Sequence, residues 1–444
     1  MNSNDKKRSF EQTNDNTASN KIPKTNPKGY RIPKLVRDAN GMFKSPQIPI
    51  HEVHLARKAL RQHGISEFLN LYLPENATGS DLLSVVFLLG RAKLEVGFDI
   101  DDSENLDKII KILKSTINRV LSSRDKLQDI NTIEDTVRLI REAKNIIVLT
   151  GAGISTSLGI PDFRSDKGLY AQLQELGISD PTDVFDLEIF QDDPQIFYNI
   201  AHMVLPPGDV YTPLHSFIKK LSEEGKLLRN YTQNIDLVES NAGIPDDKVI
   251  RCHGSFATAT CQSCDFQVDG HELYPAIREK SIPLCPHCKD EREKDDDALF
   301  PASFGVLKPD IVFFHESLPK RFDTSIVEDV KKCDLLIAIG TSLQVAPVSK
   351  IVVQVPASVP QILINRDPIL DCEFDVNLLG LCDDVAVLLS EKLGWTLNHE
   401  KFNSIKDKGF TVREDLEEPG LYVIKPKSNA AEEKSDLVEQ VKQE

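Results

Sequence analysis

Four cysteines stand as two close pairs, Cys261-x2-Cys264 and Cys285-x2-Cys288, with twenty residues between the pairs. That spacing suits four thiolates closing on one tetrahedral zinc ion (Zn2+), as in a zinc ribbon. Four sulfur ligands leave no open coordination position, so this metal is structural rather than catalytic. The residues between the pairs have little apolar content, and metal binding is expected to supply much of the module's folding energy. His287, inside the second pair, is expected at the surface rather than on the metal, and the charged stretch 290–297 reads as a solvated loop. A ribbon of this kind can also bind nucleic acid, but this one lacks interleaved basic and aromatic residues.

A second chemistry is suggested by Gly151-Ala152-Gly153, which follows the apolar run Ile146-Ile147-Val148-Leu149. Two glycines let a backbone approach a diphosphate, and the helix N-terminus beyond them offers amide donors. By itself this is a weak signal. It also departs from the fingerprint of hydride-transfer enzymes, because Thr156 stands where a third glycine is expected, and this argues against an ordinary dehydrogenase.

The elements that must hold these residues can be read from periodicity. Leu335-Leu336-Ile337-Ala338-Ile339 runs into Gly340-Thr341-Ser342, and Ile362-Leu363-Ile364 runs into Asn365-Arg366-Asp367. Short buried strands ending in small or polar residues predict a parallel, Rossmann-like α/β sheet with its ligand edge at those ends. Asn131 with Glu134 resembles a capping box for a helix carrying Ile133, Val137 and Ile140, and a helix over 383–393 stops at Gly394. Ahead of this core a small all-helical module is expected over 46–125. There the helix from His51 ends at Gly64, Ser80 or Asp81 caps the next, and Ile109, Leu113, Ile117 and Leu121 make an apolar stripe. The charged stretches 101–104 and 122–129 read as connections. The domain assignment is therefore a disordered basic tail over 1–45, the helical module, a catalytic domain over 130–398 with the zinc module inserted at about 255–310, and a mostly flexible extension over 399–444. Within that extension 420–424 could add one strand.

Composition bounds the classes. With 444 residues, a 40% hydrophobic share and a formal charge of −16 (pI near 5.2), a basic stripe tracking phosphates is not expected on the folded part. An acidic surface attracts cationic peptides, and it equally serves plain solubility. No apolar run is long enough to span a membrane. The start MNSNDKKRSF has no secretory stretch, so an intracellular protein is expected, and Lys6, Lys7, Arg8, Lys21, Lys24, Lys28, Arg31 and Lys34 read as a nuclear-import signal or a merely solvated tail. Cys252, Cys333 and Cys372 read as small buried side chains.

Residues 151–165 read GAGISTSLGIPDFRS, 231–236 read YTQNID, His253-Gly254 follows Val249-Ile250, and 308–316 read KPDIVFFHE. Together and in this order, over about 132–395, these segments resemble the sirtuins. The resemblance implies an enzyme that transfers an acyl group from lysine to the ribose of NAD, releasing nicotinamide and forming O-acetyl-ADP-ribose. It further implies that Gly151, Ala152, Gly153, Ser155, Ile160, Pro161, Asp162, Phe163, Arg164 and Tyr170 belong to the cofactor-binding region. Ile160 and Asp236 would hold nicotinamide, and Phe163 would cover the ribose once nicotinamide leaves. Gln233, Asn234 and Ile235 would line the nicotinamide side, and Gly340, Thr341 and Ser342 would meet the phosphates. Asn365, Arg366 and Asp367 would meet the adenine ribose side, and Cys382 the adenine region. His253 would be the general base, with Asn234 as its catalytic partner.

Val312, Phe313 and Phe314 would pair with the substrate backbone by strand addition. The family usually has glycine where this chain has His315, a departure that bears on the peptide groove. Tyr170 has no arginine near it in DKGLYAQLQELG, which favours neutral acyl groups such as acetyl. The module with its EFLNLYLP stretch resembles that of fungal silencing sirtuins. It implies a nuclear histone deacetylase whose partners are acetylated histone tails and chromatin silencing proteins, without sequence-specific nucleic-acid binding and without a membrane. Protein ADP-ribosyl transfer and a mainly non-catalytic chromatin scaffold are the alternatives.

Overall fold

A computed structural model describes residues 32–37, 43–44, 46–91, 94, 98–100, 102–294 and 301–427. The expected tail over 1–45 and the last seventeen residues lie largely or wholly outside these. The chain forms two compact units that divide between Ser122 and Ser123.

In the first unit β1 (Val36–Arg37) and β2 (Phe43–Lys44) pair antiparallel ahead of three helices, Ile50–Tyr72, Gly79–Leu88 and Leu106–Ser122. Gly64, at φ 75°, breaks the first helix where a stop is expected, but the helix resumes at once. The second is capped by Thr78, not by Ser80 or Asp81. Thr78 Oγ1 accepts from the Asp81 amide while the Asp81 carboxylate accepts from the Thr78 amide, a reciprocal box that satisfies two otherwise orphaned donors. Ile109, Leu113 and Ile117 are buried, whereas Leu121 is exposed and Val120 takes its place in the core. The four-residue stripe drifts off the buried face because a turn holds 3.6 residues rather than four.

The second unit carries the chemistry. Strands β3 (Ile146–Thr150), β4 (Leu227–Thr232) and β5 (Val249–Arg251) come first. Then follow β6 (Gly254–Cys261), β7 (Gln267–Asp269) and β8 (Leu307–Ile311) of a small antiparallel sheet. After these come β9 (Leu335–Ile339), β10 (Gln361–Asn365), β11 (Val376–Leu379), β12 (Phe410–Glu414) and β13 (Leu421–Pro426). The large sheet runs β5-β4-β3-β9-β10-β11-β13-β12, parallel throughout except for the edge strand β12. All residues of β3 and β9 are buried, as the continuous apolar runs predict for strands covered on both faces. The order reverses between β3 and β9, so the loops after Thr150 and Ile339 flank a topological switch point, the place where such sheets bind ligands.

Three expectations are corrected here. The helix Ile133–Glu142 is capped by Thr132 with Asp135, one residue beyond Asn131 and Glu134. NTIED offers both registers, and only the Thr132 hydroxyl and Asp135 carboxylate close the reciprocal pair. Residues 399–427 are not a flexible extension: after the helix Lys401–Lys408, β13 pairs with β11 and buries Leu421, Tyr422 and Ile424. The stretch 122–129 is more than a connection, because the Arg124 guanidinium lies 3.0 Å from both oxygens of buried Asp375, and Lys126 lies 2.9 Å from Glu418. Among the described residues no helix is long and apolar enough to cross a membrane.

Candidate active site

The loops after β3 and β9 touch. The Gly153 amide donates to the Gly340 carbonyl at 2.9 Å, and that of Gly151 to the Ile339 carbonyl at 3.2 Å. A methyl group on Gly153 would stand 2.8 Å from the Gly340 oxygen, one on Gly151 2.8 Å from Thr341 Cβ, and one on Gly340 2.7 Å from the Ile154 nitrogen. These glycines are therefore required for one loop to lie against the other, a reason distinct from backbone approach to a diphosphate. Gln233, just past β4, ties the region together: its Nε2 donates to Thr341 Oγ1 at 2.9 Å and to the Thr150 carbonyl at 3.2 Å. Asn365, ending β10, donates to the Thr341 carbonyl at 3.3 Å and the Asp367 carbonyl at 2.8 Å. Arg366 and Asp367 pair with each other at the surface, and Ser342 is exposed.

Asn234 and Asp236 are buried. Ser155, fully buried, bears on both: Asn234 Nδ2 lies 3.5 Å from Ser155 Oγ, and Ser155 favours the charged form of Asp236. Burial raises the Asp236 carboxyl, opposed by Ser155 and the Val238 amide. Asn234 Oδ1 is buried without a partner among the described residues. So is Nε2 of His253, which follows β5. Its Nδ1 lies 2.9 Å from the Gln233 carbonyl, which can only accept, so Nδ1 carries the proton and Nε2 the lone pair. Burial lowers the imidazole's pKa; the Gln233 carbonyl opposes this and Arg164 adds to it. The neutral ring can thus take a proton at Nε2 near neutral pH.

The loop 160–170 folds over this region. Asp162 Oδ1 accepts from the amides of Arg164 and Ser165 at 2.9 and 2.7 Å, which shapes the turn, while Ile160 and Pro161 are half-buried and Arg164 is exposed. Phe163 packs edge-on against Tyr170 and Phe185, and Ile235 packs on the same apolar cluster. Burial raises the Tyr170 hydroxyl while Arg164 opposes it. Cys382 opens the helix Cys382–Leu393 half-buried, and burial pushes its thiol up to about 12.

The expected peptide-binding segment, Val312 to Phe314, follows β8 directly. Phe313 is plain core, surrounded by Phe185, Phe190 and Phe197 with ring centroids 5.1–5.9 Å away. Lys308 Nζ lies 4.1 Å from its ring centre and 3.0 Å from Glu316. The amides of Val312, Phe313 and Phe314 are taken by the His253 carbonyl, the Glu316 carboxylate and the Phe185 carbonyl, and the Phe314 carbonyl by Leu187. The Phe313 carbonyl accepts from the Glu316 amide, whereas the Val312 carbonyl has no partner among the described residues. The next residue, His315, has φ 71°, the left-handed region that glycine favours, and its Nδ1 lies 3.1 Å from Asp186 Oδ2.

In the small sheet the four cysteine sulfurs lie within 4.8 Å of one another, with Cys261–Cys288 and Cys264–Cys285 each 3.7 Å apart. A tetrahedron of sulfurs about 2.3 Å from zinc has edges of about 3.8 Å, so the residues fit Zn2+ without rearrangement. His287 is exposed and stacks on Phe266 rather than turning inward. The segment between the pairs is less polar than expected, since Leu273, Tyr274 and Ile277 are buried in the aromatic cluster. Part of the charged stretch after it, Lys289–Lys294, is helical, and 295–300 lie outside the described residues. Cys252 and Cys333 are buried as expected, whereas Cys372 is only half-buried.

Sequence reading missed Lys308, Glu316 and Asp186 as the residues that fix this loop, because their partnerships join positions on different elements. An α/β fold with a loop-lined switch point, a neutral imidazole beside it and an inserted four-thiolate module is the architecture of an NAD-binding enzyme with a structural zinc ribbon.

Comparison with known proteins agrees. Residues 151–347 match the Sir2 family, and 20–104 and 91–150 match a family described as protein of unknown function (DUF592). The chain is 45% identical to the NAD-dependent histone deacetylase SIR2 of Candida glabrata, over 89% of this chain and 86% of the relative. It is 44% identical to SIR2 of Saccharomyces cerevisiae (87% and 77%) and 44% identical to the NAD-dependent protein deacetylase HST1 of the same yeast (94% and 92%). This chain belongs to the Sir2 family.

Proposed function

We propose that this protein is an NAD-dependent protein-lysine deacetylase acting on acetylated histone tails in the nucleus, together with silencing proteins, to repress transcription. The observation that carries the reading is the His253 imidazole, neutral and fixed by Gln233, with a buried Nε2 that has no partner among the described residues. The relatives' names support the activity and the histone substrate.

NAD, when bound, supplies the ribose carbon that receives the acetyl oxygen as nicotinamide departs. The chain's residues do the rest. Gly151, Ala152, Gly153, Gly340, Thr341 and Ser342 present the loop backbone to the phosphates, and Asn365, Arg366, Asp367 and Cys382 line the adenosine side. Ser155 holds Asn234 and Asp236 so that the Asp236 carboxylate accepts from the nicotinamide amide and Asn234 meets the ribose. His253 Nε2 takes the proton of a ribose hydroxyl. Ile160, Phe163, Tyr170 and Ile235 exclude water from the reacting groups. The Val312 carbonyl and the backbone of His315 have no partner among the described residues, and through them the segment Val312, Phe313 and Phe314 pairs with the backbone of a substrate peptide.

Acetylated histone peptides incubated with and without adenine-labelled NAD test this by mass spectrometry. The account expects NAD-dependent loss of acetyl, with label in a small acetylated nucleotide. Deacetylation without NAD would contradict it, and label on protein would favour ADP-ribosyl transfer.

A further inference from the structure

This mechanism leaves a nearby buried carboxylate without a task. Glu239 stands on the short helix Val238–Asn241 directly after Asp236, and is 1% exposed. Leu237, in the left-handed region at φ 62°, turns the chain between the two acids, both are buried, and the Asp236 charge bears on Glu239. Glu239 Oε1 has no hydrogen-bond partner among the described residues.

The groups around it do not neutralise it. Thr232 on β4 favours the charged form of Glu239, as Ser155 does that of Asp236, and the Val238 amide donates to Asp236 at 3.2 Å. Arg251 on β5 bears on Glu239 electrostatically, but its Nη1 lies 2.7 Å from Asp246 and its Nη2 2.6 Å from Ser240, with Nε unpartnered. Arg321 also contacts Asp246, which keeps that exposed acid, not Glu239, at the centre of the cationic cluster. Cys252, next to His253, is buried and its thiol is raised by burial and further by Glu239. Two carboxylates buried together without a salt bridge cannot both ionise without a large desolvation and repulsion penalty.

We propose that Glu239 is a positioning residue of the nicotinamide site: buried close behind Asp236 in the chain, it stays protonated, so that the negative charge of the two acids rests on Asp236, which accepts from the carboxamide. The inference rests on the reading that Asp236 faces nicotinamide. Burial, and then the Asp236 charge, raise the Glu239 carboxyl to about 7. The Asp236 charge opposes ionisation of Glu239, and the two protons leave in steps that belong to the pair. Above neutral pH the second ionisation sets another negative charge behind the cationic ring of NAD, whereas neutral nicotinamide gains no comparable attraction. The stability sign follows. The folded value exceeds the unfolded one, so this group's contribution falls as pH rises from about 4.5 to about 7 and then levels off.

The test uses the full chain, wild type, Glu239→Gln and Asp236→Asn, with calorimetric binding of NAD and of nicotinamide and thermal unfolding across pH 5–8. Wild type is expected to bind NAD about threefold tighter at pH 8 than at pH 6 in excess of any change seen for nicotinamide. Glu239→Gln should abolish that excess, and its gain in Tm over wild type should grow from pH 5 to pH 7. Any pH effect of His253 is common to both proteins and drops out of the comparison. A Glu239→Gln protein with the wild-type binding profile, or with a Tm difference constant from pH 5 to pH 7, would overturn the proposal. Asp236→Asn separates the two readings: nicotinamide binding unchanged in that variant removes Asp236 from the site, whereas weakened binding beside an unaltered Glu239→Gln profile refutes only the role of Glu239.

Discussion

His253 and Gln233 are joined ring to backbone, Nδ1 to carbonyl oxygen at 2.9 Å, across the ends of two adjacent parallel strands. The contact fixes which ring nitrogen is basic before any ligand arrives. It also ties the imidazole to the residue whose side chain bridges Thr150 and Thr341. Burial lowers this imidazole's pKa, so the basic form persists to a pH below the free imidazole's 6.5. The acid limb of kcat/KM should therefore lie below pH 6.5, with activity falling as pH drops through it. A limb above pH 7 in the rate profile would be inconsistent with a neutral, buried base.

Gly153→Ala should damage the site without touching any chemical group. Its methyl carbon would stand 2.8 Å from a backbone oxygen of Gly340, in a place where no flexible side chain can give way. Separating the loops should weaken NAD binding at least tenfold, measured by calorimetry, and lower Tm. Gly159→Ala is the contrast, because no atom lies within 4 Å of its added carbon and only its φ of 83° is unfavourable. It should cost about 1 kcal/mol of stability and little affinity.

Much of this was legible in the chain itself, for reasons that differ by residue. The cysteine spacing and the apolar runs into Gly151 and Gly340 are local signals, and the structure places them as expected. Thr132 was missed by one position because NTIED contains two acceptable caps. The run Val312-Phe313-Phe314 does not itself reveal that the Phe313 ring meets Phe185, Phe190 and Phe197. Asp375 carried no signal, since its meaning depends on Arg124, which is 251 residues away in the chain.

That pair yields a stability prediction. Asp375 accepts from Arg124 and from the amides of Leu127 and Gln361, and its side chain is wholly buried. Asp375→Asn keeps the size but removes the buried charge that Arg124 pairs with, and should destabilise the second unit by about 3 kcal/mol in denaturant unfolding. A loss below about 0.5 kcal/mol would show that the pair is not buried in solution.

Zinc removal should unfold the small sheet and spare the large one. Cys261→Ser, or a strong chelator, should release one metal per chain by elemental analysis. It should also expose the aromatic cluster that packs against Leu273, Tyr274 and Ile277, seen as a fluorescence change. Activity surviving full metal loss would contradict a folding role for the module.

His315→Gly should relieve the left-handed strain, raising stability by about 1 kcal/mol, and break the contact with Asp186. If the peptide runs along this edge, the relative kcat/KM of acetylated peptides that differ beside the modified lysine should change, with little change in the KM for NAD. Identical rankings for both proteins would place the peptide elsewhere.

The most direct test is the NAD-dependent deacetylation rate of His253→Ala against wild type, with Tm measured alongside. The account predicts a fall in kcat of about 100-fold to 10,000-fold with the fold intact. A folded variant that keeps its rate within threefold would show that this imidazole is not the base.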